Sequence, residues 1–479
     1  MVPLKPIPLL CVDLDGTLVS TDTLDECLLR LVRYRPQLLP MLPFWLLRGK
    51  AYFKDRLAAA TAHLLGPLPY RQSVLDYIRQ HAGDSEPVVL ATAANQRIAD
   101  VVSNELGIFS NVMASDDQTN LSGTQKLGRI QSFAGDRPFA YIGDHSQDIP
   151  IWQASIRAII VGGIQDIEPE LAQVPEVVVL PAERRMCARD WAKQVRCHQW
   201  AKNLLLVVPL VLAHQVANPW KVLACLAAMI AFSFTASAVY LGNDLIDLPH
   251  DRQHPRKRYR PLASGLISIR HAVLAACALL AIAVTVSISV LPRSFLWMLF
   301  GYLAINVAYS VWLKRTAVLD VFLLAGFYVY RVLIGAVAIQ VAISPWLLAF
   351  SLFFFLGLGM LKRFADLILV ASGTQDTQIA GRSYYTSDLD FMRSAGTSAS
   401  CVAALVLALY LQSTEVVELY KHPVFLWLVS PLVLYWSMRA WFLAGRGEMS
   451  DDPILFALRD KPSYIVGAIT VLLLLLATL

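Results

Sequence analysis

Hydrophobic and polar positions change their spacing along the chain. In the first 180 residues, short apolar runs end in polar clusters: "LLCVDLDGTL" (9–18), "PVVLATAAN" (87–95) and "FAYIGDHSQDIPIW" (139–152). These read as strands, and "QRIADVVSNELG" between them reads as an amphipathic helix. Strands that alternate with helices predict a parallel, Rossmann-like α/β sheet. From Asn203 onward, apolar runs of about 20 residues recur, the length needed to cross a bilayer. They predict membrane helices at about 203–217, 221–242, 271–291, 295–312, 318–341, 345–361, 394–412, 423–443 and 463–479. The expected fold is multi-domain: an N-terminal α/β domain over 1–167, a linker over 168–199, and a C-terminal all-α polytopic membrane bundle of nine transmembrane helices over 200–479.

Composition supports this division. Of 479 residues, 56% are hydrophobic, and the mean hydropathy is +0.52, too apolar for an ordinary soluble protein. The net charge of +5 says less than its placement. One set of inter-span segments carries Arg252, Arg256, Lys257, Arg258 and Arg260, then Lys314 and Arg315, then Lys362, Arg363, Arg382 and Arg393, then Arg446, Arg459 and Lys461. The opposite set has little beyond Lys221, Arg293 and Lys421. By the positive-inside rule the charged loops and the N-terminal domain face the cytoplasm of a bacterial-type inner (plasma) membrane. An odd number of spans puts the C-terminus outside. The linker stretch "AERRMCARDWAKQVRCHQW" mixes basic and aromatic residues, as a helix lying on an anionic membrane face does. The opening "IPLLCVDLDG" is too short for a signal peptide. The seven cysteines are scattered, which predicts free thiols rather than disulfides or a zinc site. Nucleic acid is not an expected partner, and the oligomeric state is not legible.

In a parallel sheet the strand ends gather at one edge, where ligands bind. Asp13, Asp15, Thr92, Lys126, Asp144 and Asp148 would meet there. Such a set suits phosphate-ester hydrolysis. A carboxylate nucleophile forms an aspartyl phosphate, Mg²⁺ held by neighbouring carboxylates neutralises phosphoryl oxygens, and a hydroxyl and a lysine bind the transferring group. The order D-x-D-G-T, Thr, Lys, G-D-x-x-x-D resembles the haloacid dehalogenase superfamily of phosphatases over about residues 7–165. That resemblance implies Asp13 as nucleophile and Asp15 as general acid and base. It implies Thr92 and Lys126 as phosphate binders. Asp13, Asp144, Asp148 and the Asp15 carbonyl would serve Mg²⁺, and residues about 20–80 would form a helical cap.

Between two expected spans lies "NDLIDLPHDRQHPRKRYRP" (243–261). Asp244, Asp247 and Asp251 are spaced three and four apart, and Asn243, Asp247 and Asp251 four and four, so both sets fall on one helical face. Carboxylates there can hold Mg²⁺, and Mg²⁺ can hold a diphosphate. Pro249 kinks or ends the helix. "NDLIDLPHD", "HPRKRYRPLASG" and "YSVWLKR" (309–315) resemble the UbiA-type intramembrane transferases over about 196–479. The resemblance implies a helical bundle around a central cavity fed by a Mg²⁺-bound diphosphate.

Prenyl diphosphate users of that superfamily carry a second D-x-x-x-D motif after the sixth span. Here Asp366 and Asp376 stand ten apart, and Lys362, Arg363, Arg382 and Tyr385 take the motif's place. "HQWAKNLLLVVPL", "YRVLIGAVA", "KRFADL", "GRSYYTSDLDFM" and "DDPILFALRDK" together resemble decaprenylphosphoryl-5-phosphoribose synthases. That implies transfer of phosphoribose from phosphoribosyl pyrophosphate to a polyprenyl phosphate. Asp244 and Asp247 would be catalytic, and Asn243, Asp244, Asp247 and Asp251 would serve Mg²⁺ and diphosphate. Lys202, Arg260, Lys314, Lys362, Arg363, Asp366, Arg382 and Tyr385 are the implied substrate binders. Arg331, mid-span in "YVYRVLIG", is a functional candidate by its position alone. It either meets the lipid phosphate or closes an internal ion pair. The competing reading is a prenyltransferase that moves a prenyl group onto an aromatic or other acceptor, with an unrelated phosphatase attached.

Overall fold

The computed structural model describes residues 9–81, 87–162, 168–181, 184, 186–370, 383–449 and 453–479. The chain forms two compact units, Met1–Arg196 with Tyr240–Cys277, and Cys197–Val239 with Ala278–Leu479.

The first unit is built on six parallel strands: β1 (Leu10–Val12), β2 (Val88–Asn95), β3 (Asn111–Ser115), β4 (Ala140–Gly143), β5 (Arg157–Val161) and β6 (Val177–Leu180), in the order β3-β2-β1-β4-β5-β6. Side chains alternate across the pleat, so each strand feeds two cores. Leu10, Val12, Leu90 and Ile142 pack on one face, and Cys11, Val89, Tyr141 and Ile160 on the other. Burial on both faces explains why these strands read as unbroken apolar runs. Leu10 is in register with Val88 on one side and Ala140 on the other. The chain leaves β1 in one direction toward β2 and β3 and returns to build β4, β5 and β6 on the other side. The C-terminal ends of β1 and β4 are therefore a topological switch point, where an α/β sheet opens a crevice. Between β1 and β2 the chain is helical, with Thr23–Tyr34, Lys50–Thr61 and Gln72–His81 as its longest helices. Asp22 caps the first by accepting from Leu24 N at 2.8 Å. The segment read as a linker supplies β6, because the β-branched run Val177–Val179 favours an extended edge over a coil.

In the second unit, small residues allow helices to touch. A Cβ on Gly396 would come within 2.2 Å of Trp441, and one on Gly335 within 2.4 Å of the Leu206 backbone oxygen. Leu361, Phe364, Leu367, Met392, Trp441 and Ala444 form its main apolar cluster.

Among the described residues, seven helices are long and apolar enough to cross a membrane: Pro219–Ile246, Ile269–Val290, Leu319–Ile339, Pro345–Leu369, Thr386–Leu411, Pro423–Gly445 and Lys461–Thr478. The expected span at 203–217 is instead a pair of short helices, Cys197–Val207 and Val208–Leu212, ended by a turn with His214 at φ 55°. The expected span at 295–312 is a continuous helix of 19 residues, Arg293–Val311, that is not among the seven. The Asp-rich stretch divides as Pro249 requires: one helix stops at Ile246, and a second, Leu248–Gln253, starts with the proline in its first turn.

Gly335→Ala should destabilise the detergent-purified protein by about 1–3 kcal/mol through overpacking, lowering its thermal midpoint. Gly326 lies in the same helix with nothing within 4 Å of its would-be Cβ. Gly326→Ala should leave the midpoint unchanged or raise it.

Candidate active sites

In the first unit, β1 delivers Asp13 and β4 leads to Asp144 and Asp148. Ligand oxygens of these three carboxylates lie within 4.8 Å of one another. The buried Lys126 ammonium sits 3.1 Å from Asp13 and 3.5 Å from Asp148. It also lies 2.8 Å from the Tyr141 hydroxyl, which donates to Asp148 Oδ1 at 2.9 Å. Thr17 donates to Asp144 Oδ1 at 2.9 Å. Asp148 Oδ2 is buried without a hydrogen-bond partner. Three convergent carboxylates, one with an orphaned buried oxygen, form an oxygen donor set that fits a hard divalent cation such as Mg²⁺. Thr92 is fully buried in the middle of β2, where its hydroxyl accepts from Ala94 N at 3.0 Å, and it does not line the cavity that the carboxylates share.

Charge crowding sets the protonation preferences. Burial, then the Asp22 charge, pushes Asp15 up to about 7, although the Thr23 amide donates to it at 2.7 Å. Desolvation in the cleft, then the Asp13 charge, raises Asp144 to about 6. Burial opposes the charge on Lys126, but Asp13 and Asp148 outweigh it and raise the ammonium. A carboxylic acid that keeps its proton near neutrality, beside a carboxylate clamped by a lysine, is the arrangement that general acid and nucleophile require. These groups line a cavity of about 570 Å³ that extends to Asp22, Lys50, Lys54, Ser268 and Arg270.

The Tyr240–Cys277 stretch belongs to the same unit. Asp244 accepts from Gln194 at 2.9 Å, from Arg196, and from Arg260 at 3.1 Å. Arg260 also reaches Asp251 at 2.5 Å, and Lys257 stands 3.8 Å from Asp251. A guanidinium therefore bridges two of the three carboxylates that the sequence reading assigns to Mg²⁺. Among the described residues, no second group of three metal-ligating side chains converges as Asp13, Asp144 and Asp148 do. Asp247 lies at the break between the two helices, one turn beyond Asn243, whose carbonyl accepts its amide at 2.8 Å.

The second unit holds the remaining cations. Arg331 is buried in mid-helix, where Nε donates to Asn203 Oδ1 at 3.0 Å and Nη1 to the Phe327 carbonyl at 2.6 Å. Its guanidinium lies 5.3, 5.9 and 5.5 Å from the rings of Phe232, Tyr302 and Tyr328. Among the described residues it meets no carboxylate, so the internal ion pair, one of its two expected roles, is not formed. Lys202 is nearly buried, 5.7 Å from the Tyr328 ring. Arg363 is tied to the fully buried Asp320 at 2.8 and 3.3 Å and to Asp366 at 3.1 Å, and Tyr309 donates to Asp320 at 2.6 Å. Lys314 lies in the turn Leu313–Arg315, and Lys362 lies on the helix Pro345–Val370. Tyr385 is exposed, with its amide capped by Asp388 at 2.9 Å. Arg382 lies outside the described residues. Sequence reasoning missed Tyr141, Asn203, Asp320, Lys50, Lys54 and Arg270. Asp320 carried a signal, as a lone carboxylate at the start of an apolar run.

Gly16 closes the first site. Its φ is +77°, and a Cβ there would lie 2.2 Å from Asp144 Oδ2, a backbone region only glycine enters freely. Gly16→Ala should displace Asp144 and weaken Mg²⁺ binding about tenfold or more, measured by calorimetric titration with Mg²⁺ alone. Loss of one carboxylate contact to a hard cation supports that scale.

A model of the UbiA prenyltransferase family matches residues 204–459. A model of haloacid dehalogenase-like hydrolases matches residues 10–153. The chain is 37% identical to the uncharacterized protein y4nM of Sinorhizobium fredii, over 97% of this chain and 90% of that one. It is 33% identical to nodulation protein NoeC of Azorhizobium caulinodans, over 58% of this chain and 93% of that one. It is 34% identical to a decaprenyl-phosphate phosphoribosyltransferase of Mycobacterium tuberculosis, over 42% of this chain and 67% of that one. With seven apolar helices, this is an integral membrane protein. The chain belongs to the UbiA prenyltransferase family, with a haloacid dehalogenase-like hydrolase domain in its N-terminal part.

Proposed function

We propose that the membrane domain transfers 5-phosphoribose from phosphoribosyl pyrophosphate to a decaprenyl-like polyprenyl phosphate, and that the N-terminal domain then removes the 5-phosphate to leave polyprenyl-phosphoryl-ribose. The observation that carries this reading is the balance of charge in the transferase. The sequence carries one carboxylate cluster at 243–251 beside the cationic candidates Lys202, Arg260, Lys314, Arg331 and Lys362, and no second Asp pair follows the sixth expected span. A donor with a diphosphate leaving group and a separate 5-phosphate needs that asymmetry. The likeness to the mycobacterial phosphoribosyltransferase supports it.

In the transfer step, a lipid phosphate oxygen attacks the anomeric carbon as the bond to pyrophosphate breaks. Asn243, Asp244, Asp247 and Asp251 would hold Mg²⁺, which neutralises the departing diphosphate when bound. Arg260 holds these carboxylates in place, and Arg331, with no carboxylate to neutralise it, is suited to the lipid phosphate. In the hydrolytic step, Asp13 attacks phosphorus and the bond to the sugar oxygen breaks. Asp15 gives that oxygen its proton, then takes one from the water that cleaves the aspartyl phosphate. Lys126 binds the phosphoryl group. By the positive-inside rule the charged loops and the N-terminal domain would face the cytoplasm.

The test supplies Mg²⁺, polyprenyl phosphate and labelled phosphoribosyl pyrophosphate to detergent-purified protein and follows label into the organic phase. Asp244→Asn should abolish lipid-linked label. Asp13→Asn should leave label on the lipid with its 5-phosphate retained, dephosphorylation falling by at least about 10³-fold, the scale of losing a nucleophile. Turnover of a prenyl diphosphate with no lipid-linked ribose would replace this reading with the prenyltransferase one. In the wild type, a chelator should halt both steps.

A further inference from the structure

Beyond the phosphoryl end, the 570 Å³ cavity of the first unit holds two lysines that catalysis does not use. Lys50 and Lys54 stand one turn apart on the helix Lys50–Thr61. Like charges at this spacing repel. Among the described residues, neither pairs with a carboxylate. Lys54 instead donates to the Ala93 carbonyl at 2.7 Å and to Asn120 Oδ1 at 2.8 Å, neutral acceptors that fix the ammonium without cancelling its charge. Burial, then the charge of Lys50, lowers the Lys54 ammonium from its usual range. The same cavity is thus acidic where Asp13, Asp144 and Asp148 gather and also carries the two ammonium groups of the helix Lys50–Thr61, of which Lys54 feels the charges of Asp15 and Asp22 without pairing with either.

The rim adds a third fact. Arg270 lines the cavity, but its charge is already spent on Asp22 and Asp25, each at 2.7 Å. Those two residues cap and begin the helix Thr23–Tyr34, whose Thr23 amide holds Asp15. Arg270 is also the second residue of Ile269–Val290, a helix apolar enough to cross a membrane.

We propose that Lys50 and Lys54 form a subsite for a second anion, so that the phosphatase substrate is a phosphomonoester whose leaving alcohol also bears a phosphodiester joined to a lipid. This rests on the hydrolytic role proposed above. The diester anion meets the two ammonium groups, which among the described residues form no ion pair, and the lipid beyond it leaves past Arg270.

The test compares kcat/KM for two soluble probes in the full-length protein with Mg²⁺: 5-phosphoribosyl methyl phosphate, which carries the diester, and ribose 5-phosphate, which does not. The wild type should prefer the diester probe about tenfold or more, the scale of a charge contact in a partly desolvated site. Lys50→Gln should reduce that preference about threefold or more, through a raised KM for the diester probe, and Lys50→Gln with Lys54→Gln should abolish it. Lys50 is exposed, so its variant keeps the test valid if the one at Lys54 disturbs β2 at Ala93. A wild type that cleaves both probes equally, or a preference unchanged by Lys50→Gln and the double variant, overturns the subsite and leaves the phosphatase standing. A wild type that cleaves neither probe nor p-nitrophenyl phosphate overturns the hydrolytic role itself, and the subsite with it.

Discussion

Buried charge must find a partner, and in this protein that constraint shapes both units. Asp13, Asp144 and Asp148 crowd the ends of two neighbouring parallel strands, and Lys126 with Tyr141 makes the crowding tolerable. Removing an ion from water costs several kcal/mol, and only close, hydrogen-bonded opposite charge offsets it. The strand order fixes which carboxylates meet, Gly16 gives Asp144 room, and the orphaned Asp148 oxygen marks where compensation is still due. The second unit solves the same problem at Asp320, held by Arg363 and Tyr309 in an otherwise apolar cluster.

Arg331 is the contrast. It is buried, its donors go to an amide and a carbonyl, and three aromatic rings surround its guanidinium. Ring faces and neutral acceptors hold a cation without cancelling it. Among the described residues no carboxylate cancels that charge, and a buried charge of this kind is costly. Arg260 behaves differently: it lies across Asp244 and Asp251, so its charge is compensated.

What the sequence disclosed and what it hid divide by distance along the chain. The meeting of Asp13 and Asp15 with Asp144 and Asp148 was legible because each pair follows an apolar run, and the parallel sheet brings the ends of β1 and β4 together. The break at Pro249 was equally local. Partners joined across long separations left no such trace: Arg363 with Asp320 over 43 residues, Arg331 with Asn203 over 128, and Arg270 with Asp25 over 245. The strand at Val177–Leu180 was hidden because four residues at an edge carry too short a period to separate from a linker. Of the nine expected crossings, 203–217 was overread because an apolar stretch containing Pro209 fixes composition but not helix length.

The units are interleaved along the chain, each built from two stretches. This orders events at the ribosome. The sheet of the first unit is finished by Leu180, yet the wall formed by Ser268 and Arg270 is not synthesised until after Pro219–Ile246. The chain order therefore places a long apolar helix ahead of the residues that complete the pocket wall, so the pocket cannot be assembled from the first 196 residues alone.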